Sequence, residues 1–153
     1  MRILARTHQL PVRLIVGAFV LNSGLSKLRG GDEVAAGTHG LASSAYPFLG
    51  AQDAGRFTRR VGTAEVTLGT ALLTPVVPSL LAGAALAAFG CGLVGLYLRA
   101  PGMRQEGSLQ PTQQGMALLK DTWLVGAGAS LALEELGRSR ARRRAIPAQV
   151  IPD

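Results

Sequence analysis

The sequence is poor in cysteine, in aromatic residues and in charge. Its single cysteine, Cys91, excludes an internal disulfide, a CxxC redox pair and a cysteine metal cluster. Aromatic side chains make up 5% of the 153 residues, which excludes a conventional core of Phe, Tyr and Trp. Charged residues make up only 16%, whereas soluble domains contain about 25%. The composition is therefore atypical of a soluble protein.

The few charges are also unevenly distributed. Between Val61 and Leu98, Glu65 is the only ionisable side chain apart from Cys91 and Tyr97. An apolar stretch of this length is typical of membrane-spanning helices. Small residues fill the apolar stretches, and they allow helices to pack closely in lipid.

Four apolar segments predict an all-α integral membrane four-helix bundle. The predicted spans are about residues 10–28, 61–77, 79–98 and 114–136. The second and third spans form a helical hairpin, because Pro75 and Pro78 cannot both continue a helix. Within this transmembrane domain, residues 10–136, the connection 29–60 is predicted to be a polar extramembrane cap. Residues 1–9 form a basic N-terminal segment, and residues 137–153 form a basic C-terminal tail.

The distribution of arginine predicts the orientation. Four spans place both termini on one side, and five arginines lie within seven residues of the tail, so we expect both termini in the cytoplasm. We also expect the tail to hold anionic lipid or an acidic protein. The net charge of +7 does not indicate nucleic-acid binding, since there is no basic groove with interleaved aromatics.

Five charged residues are predicted to lie at one face of the bundle. Lys27 ends the first span, Glu65 begins the second, Arg99 ends the third, and Lys120 and Asp121 begin the fourth. An isolated charge in hydrocarbon costs about 2.5 to 3.5 kcal/mol even on lenient scales. We therefore predict a polar cluster with Glu65 at its centre and Lys27 as its first partner. The alternative is that the basic members extend to the headgroups.

Glu65 has two interpretations: it forms a structural ion pair, or it binds a proton, a quinone headgroup or another polar ligand. On the opposite face, Arg13 is expected to pair with Glu134 or Glu135 as a structural contact. Both histidines, His8 and His39, lie outside the predicted spans, which excludes haem ligation within the bundle. No catalytic, cofactor or metal site is predicted.

The charged and small residues of the spans resemble a known family. The residues that carry the resemblance are Arg13, Leu14, Gly17, Ser23, Gly24, Lys27 and Leu28 in the first span, Glu65 and Gly69 in the second, and Lys120 and Asp121 in the fourth. This pattern is similar to the DoxX-like family of small four-helix bacterial membrane proteins. The positions that carry over are Arg13, Lys27 and Glu65.

The resemblance implies a multi-pass protein of the bacterial plasma membrane that associates with other membrane or membrane-associated redox proteins. The expected function is a non-catalytic anchor or scaffold subunit of a respiratory or redox complex, without a cofactor of its own. The alternative is a subunit or carrier that uses Glu65 and Lys27 to bind a quinone or small solute.

Overall fold

The computed structural model describes residues 6–144, with side chains for residues 6–139. This part of the chain is all-α and contains no β-strand; its one isolated bridge joins Arg104 and Pro111. The helices are α1 Leu10–Arg29, α2 Asp32–Ala45, α3 Ala54–Leu73, α4 Ser79–Arg99, α5 Gly115–Lys120 and α6 Trp123–Arg144. The predicted all-α class is therefore confirmed. Side chains beyond residue 139, which include most of the predicted basic tail, lie outside the described residues.

Local sequence signals explain where the helices begin and end. Pro11 occupies the first turn of α1, where its missing N–H is not needed. Asp53 caps α3 by accepting a hydrogen bond of 2.8 Å from the backbone N–H of Arg56. The segment between Leu73 and Ser79 holds two prolines and separates α3 from α4.

Several helix boundaries differ from the predicted spans, and two of the differences have a clear local cause. The second predicted span begins at residue 61, whereas α3 begins seven residues earlier, at Ala54. The helix begins there because Asp53 caps it. The fourth predicted span is divided into α5 and α6. At the division, the N–H groups of Asp121 and Thr122 donate to carbonyls three residues back, which tightens the chain into a short turn.

The long helices pack in two antiparallel pairs, α1 with α3 and α4 with α6. Glycines allow each pair to approach closely. A Cβ on Gly24 of α1 would lie 2.7 Å from the carbonyl oxygen of Gly62 in α3. A Cβ on Gly83 of α4 would lie 2.7 Å from the carbonyl oxygen of Gly128 in α6. Any larger residue at these positions would separate the backbones.

The two pairs meet in one apolar core. Its buried side chains come from all four long helices and are Val16, Val20, Leu68, Leu72, Ala82, Leu86, Leu124 and Leu131. Helix α2 packs against α3 and α4 at one end of the bundle. Much of the predicted polar cap is therefore helical, and α2 covers one end of the core.

Two helical segments are long and apolar enough to cross a membrane. They are Ser79–Arg99, with a mean hydropathy of 2.0, and Gly115–Ser139, with a mean hydropathy of 1.2. Helices α1 and α3 have comparable lengths but are not among these candidates, because they carry charged residues such as Arg13 and Glu65. The structure thus gives two candidate spans, where the sequence predicts four.

Candidate functional site

The centre of the candidate site is an ion pair between α1 and α3. Lys27 Nζ lies 2.9 Å from Oε2 of Glu65. The same ammonium donates to Oγ of Ser23, one helical turn earlier, at 2.9 Å. The side chain of Glu65 is 4% exposed and that of Lys27 is 21% exposed. Removal of Lys27 would leave the carboxylate of Glu65 buried and without its charged partner.

The close approach of α1 and α3 positions this ion pair. Gly24 faces Gly62 where the two backbones touch, and Lys27 and Glu65 each follow their glycine by three residues. Residues three apart on a helix lie on the same side. The contact between small residues therefore brings the two charged side chains together beside it.

The ion pair borders a cavity of about 250 Å³ beneath α2. We call this space the polar cavity. Its polar lining consists of Ser23, Lys27, Thr38, Glu65 and Asp121, and its apolar lining includes Phe19, Phe57, Phe89, Leu93 and Leu124. An apolar space with a few convergent polar groups is the usual form of a small-molecule site.

The five residues of the predicted cluster have different positions. Lys27, Glu65 and Asp121 line the polar cavity. Arg99 is exposed, and its guanidinium carbon lies 5.0 Å from the ring centroid of Tyr46, a cation–π arrangement. Lys120 is exposed at the end of α5. Arg99 and Lys120 thus lie at the surface, whereas Lys27 and the two carboxylates line the cavity.

The polar cavity contains groups that can form hydrogen bonds with a ligand. Lys27 has three N–H donors, of which two are used by Ser23 and Glu65, so a third is available to a ligand. The carboxyl groups of Glu65 and Asp121 supply acceptors. The cavity lies below the lower limit of about 300 Å³ for ligand pockets. It has room for about eight waters, or for the headgroup of a ligand whose remainder lies outside.

At the opposite end of the bundle, the side chain of Arg13 from α1 caps the C-terminus of α3. Arg13 is 1% exposed. It donates hydrogen bonds of 2.9 to 3.1 Å to the carbonyl oxygens of Ala71, Leu72, Thr74 and Val77 and to Oγ of Ser79. The predicted pairing of Arg13 with Glu134 or Glu135 is replaced by these contacts. Carbonyls at a helix C-terminus lack intrahelical donors, and a guanidinium supplies five N–H groups to satisfy them.

Glu134 instead joins α6 to the residues that precede α1. It accepts hydrogen bonds from Nε2 of His8 at 2.9 Å and from Nε2 of Gln9 at 2.8 Å. Arg6 lies 3.5 Å from Glu134 and 3.6 Å from Glu135. These partly exposed contacts fasten the start of α1 to α6 and are structural.

Sequence reasoning missed the aromatic part of the site. Three of the four phenylalanines of the chain, Phe19, Phe57 and Phe89, line the polar cavity. The sequence signal that could have found them is the scarcity of aromatic residues. When a chain has few aromatics and they lie on three separate helices, they are candidates for packing around one common site. Sequence reasoning also missed Gln9, which is 2% exposed and accepts a hydrogen bond of 2.6 Å from Ser79.

Among the described residues, no group of three His, Cys, Asp or Glu side chains is placed to hold a metal ion. Comparisons of the chain with protein-family models, with curated proteins and with solved structures give no match.

Proposed function

We propose that this chain is a multi-pass membrane protein of the DoxX-like type that binds the headgroup of a quinone-class molecule in the polar cavity. The observation that carries the proposal is the convergence of Lys27, Glu65 and Asp121 on one otherwise apolar cavity. A quinone carbonyl accepts a hydrogen bond from an ammonium, and a reduced quinone hydroxyl donates one to a carboxylate. The cavity offers both kinds of partner.

A membrane location is supported by apolar helices that are mostly exposed. Only 28% of the apolar window of Ser79–Arg99 and 17% of that of Gly115–Ser139 are buried within the chain. The core helix of a soluble protein would be mostly buried. Helix α1 also exposes large apolar side chains, with Leu14 52% and Ile15 68% exposed. Lipid is the surrounding that such surfaces fit.

The charges of α1 and α3 are compatible with two further spans. Arg13 and Glu65, the buried charged residues of α1 and α3, are 1% and 3% exposed. Both are satisfied by partners inside the bundle, so neither needs to contact lipid hydrocarbon. Lys27 lies in the last turn of α1. The four-span arrangement in the bacterial plasma membrane, with cytoplasmic termini, is part of this proposal.

Quenching of the single tryptophan tests the proposal. Trp123 lies 6.0 Å, centroid to centroid, from Phe19, which lines the polar cavity. A quinone bound there should therefore quench its fluorescence. We expect ubiquinone-1 added to the protein in nanodiscs to cause saturable quenching. Quenching should become non-saturable in Glu65→Gln and stay saturable in the exposed control Glu33→Gln.

Two results would contradict ligand binding at this cavity. The first is quenching by ubiquinone-1 that never saturates in the unaltered protein. The second is saturable quenching that Glu65→Gln leaves unchanged. Ala42→Leu provides an independent check, because Ala42 lines the cavity from α2, which carries neither residue of the ion pair. A leucine there should weaken quinone binding by filling the space.

A second candidate function is a non-catalytic anchor subunit of a membrane redox complex. The observation that favours it is that Lys27 and Glu65 join α1 to α3 and satisfy each other, as a structural latch would. Under this reading, Glu65→Gln removes folded protein from the membrane, and ubiquinone-1 has no saturable effect on the unaltered protein. Affinity purification in mild detergent should then recover a stoichiometric partner.

A further inference from the structure

A groove on the outer surface between α3 and α4 is separate from the polar cavity. It has a volume of about 890 Å³ and shares no lining residue with that cavity. Arg56, Arg59 and Arg60 line one end. The rest is lined by small and apolar residues of both helices, including Ala64, Ala71 and Ala85. We call it the α3–α4 groove.

The arginine end of the α3–α4 groove is strongly cationic. Arg56, Arg59 and Arg60 are all exposed on the first two turns of α3. Among the side chains of residues 6–139, none of the three lies within ion-pair distance of a carboxylate. Guanidinium groups bind phosphate oxygens through paired hydrogen bonds. Three neighbouring guanidiniums therefore suit a phosphate group.

The apolar end continues along the helix axis. From Arg56 to Ala71 is fifteen residues, or about 22 Å along a helix. One leaflet of the hydrocarbon core is about 15 Å deep, and the headgroup region adds several ångströms. The small side chains of Ala64 and Ala85 leave a trough between the helices. The dimensions match a lipid headgroup followed by an acyl chain.

We propose that the α3–α4 groove binds one anionic phospholipid, with its phosphate on the three arginines and an acyl chain along the small residues. This proposal depends on the membrane location argued above and is independent of any ligand in the polar cavity. A phospholipid fits better than a partner helix, since three arginines without an ion-pair partner among residues 6–139 line one end and mostly small and apolar residues line the remainder.

Native mass spectrometry of the purified full chain tests the lipid site. The probes are phosphatidylglycerol and phosphatidylcholine with identical acyl chains, added in equal amounts. We expect a first phosphatidylglycerol to bind at least about tenfold more tightly than phosphatidylcholine. The triple variant Arg56→Gln, Arg59→Gln and Arg60→Gln should lose this preference.

Matched variants separate the groove from the overall charge. The control Arg29→Gln, Arg104→Gln and Lys120→Gln removes the same charge from exposed positions at the same end of the bundle and should keep the preference. Ala64→Phe with Ala85→Phe keeps the arginines but fills the trough, and should weaken phosphatidylglycerol binding about tenfold. Both alanines are exposed, so the fold should tolerate the change, which helical circular dichroism verifies.

Three results would overturn the proposal. Equal binding of the two lipids to the unaltered protein would show that no anionic site exists, and would favour a partner helix as occupant. An equal loss in the two triple variants would show that only net charge matters. Unchanged binding in the trough-filling variant would show that the acyl chain lies elsewhere.

Discussion

Replacement of Arg13 by methionine should strongly destabilise the bundle. Arg13 is 1% exposed and donates five hydrogen bonds to the C-terminal end of α3 and the following turn. Methionine keeps most of the side-chain volume but supplies no donor. The carbonyls of Ala71, Leu72 and Val77 would then lose their side-chain donor. Thr74 keeps the N–H of Val77, and the Ser79 hydroxyl keeps Gln9.

Two opposing terms determine the size of this effect. Each acceptor left unsatisfied costs about 1 to 3 kcal/mol, so the loss at Ala71, Leu72 and Val77 sums to about 3 kcal/mol at the low end. Removal of a buried charge offsets part of this, because a desolvated guanidinium itself costs several kcal/mol. Deletion of one partner from a buried charged network typically costs about 3 to 5 kcal/mol net. We therefore expect a loss of about 3 kcal/mol or more.

Thermal unfolding in detergent measures the change. A loss of about 3 kcal/mol corresponds to a fall of about 10 °C in Tm for a chain of this size. The Tm of Arg13→Lys should lie between those of the wild type and Arg13→Met, since an ammonium has three donors for five acceptors. Arg29→Met, at an exposed position at the far end of the same helix, is the control. If Arg13→Met unfolds at the wild-type temperature, the charge costs as much to bury as its hydrogen bonds contribute, and the reasoning is refuted.

Gly24→Leu should cost about 2 kcal/mol or more and lower the Tm, because its Cβ would lie 2.7 Å from the Gly62 carbonyl oxygen; Gly92→Ala, which meets nothing within 4 Å, should leave stability unchanged or raise it by up to about 1 kcal/mol. If both changes have the same effect, close α1–α3 packing is disproved. Cys91 is exposed on α4, and in intact membranes a water-soluble maleimide should label it far more slowly than after denaturation, because the hydrocarbon core excludes a water-soluble reagent. Rapid labelling in intact membranes would argue against α4 as a span.

The sequence contains enough information to predict helices and which of their ends lie close together. Pro75 and Pro78 separate α3 from α4 because proline removes a backbone donor, whatever the surroundings. The depth argument predicts Lys27 near Glu65, and their charged atoms are 2.9 Å apart. Such predictions depend only on chain order and helix length.

Contacts to the backbone are much harder to predict. The acceptors of Arg13 are mostly main-chain carbonyls, which every residue possesses, so no sequence pattern distinguishes them from a carboxylate such as Glu134. The division between α5 and α6 at Asp121 is another example, since neither proline nor glycine marks it. The polar cavity likewise depends on which faces of six helices converge, and this is a property of tertiary packing.

The two helix pairs differ in charge although they pack in a similar way. In both, glycines bring antiparallel backbones into contact, as with Gly24 in one pair and Gly83 in the other. The α4–α6 contact is apolar over most of its length, whereas α1 and α3 carry buried Arg13 at one end and buried Glu65 near the other. Mean hydropathy counts these charges as though they faced lipid, yet each is satisfied within the bundle. The lower mean hydropathy of α1 and α3 therefore comes from charged residues that are buried between the helices. It does not require α1 and α3 to lie outside a membrane.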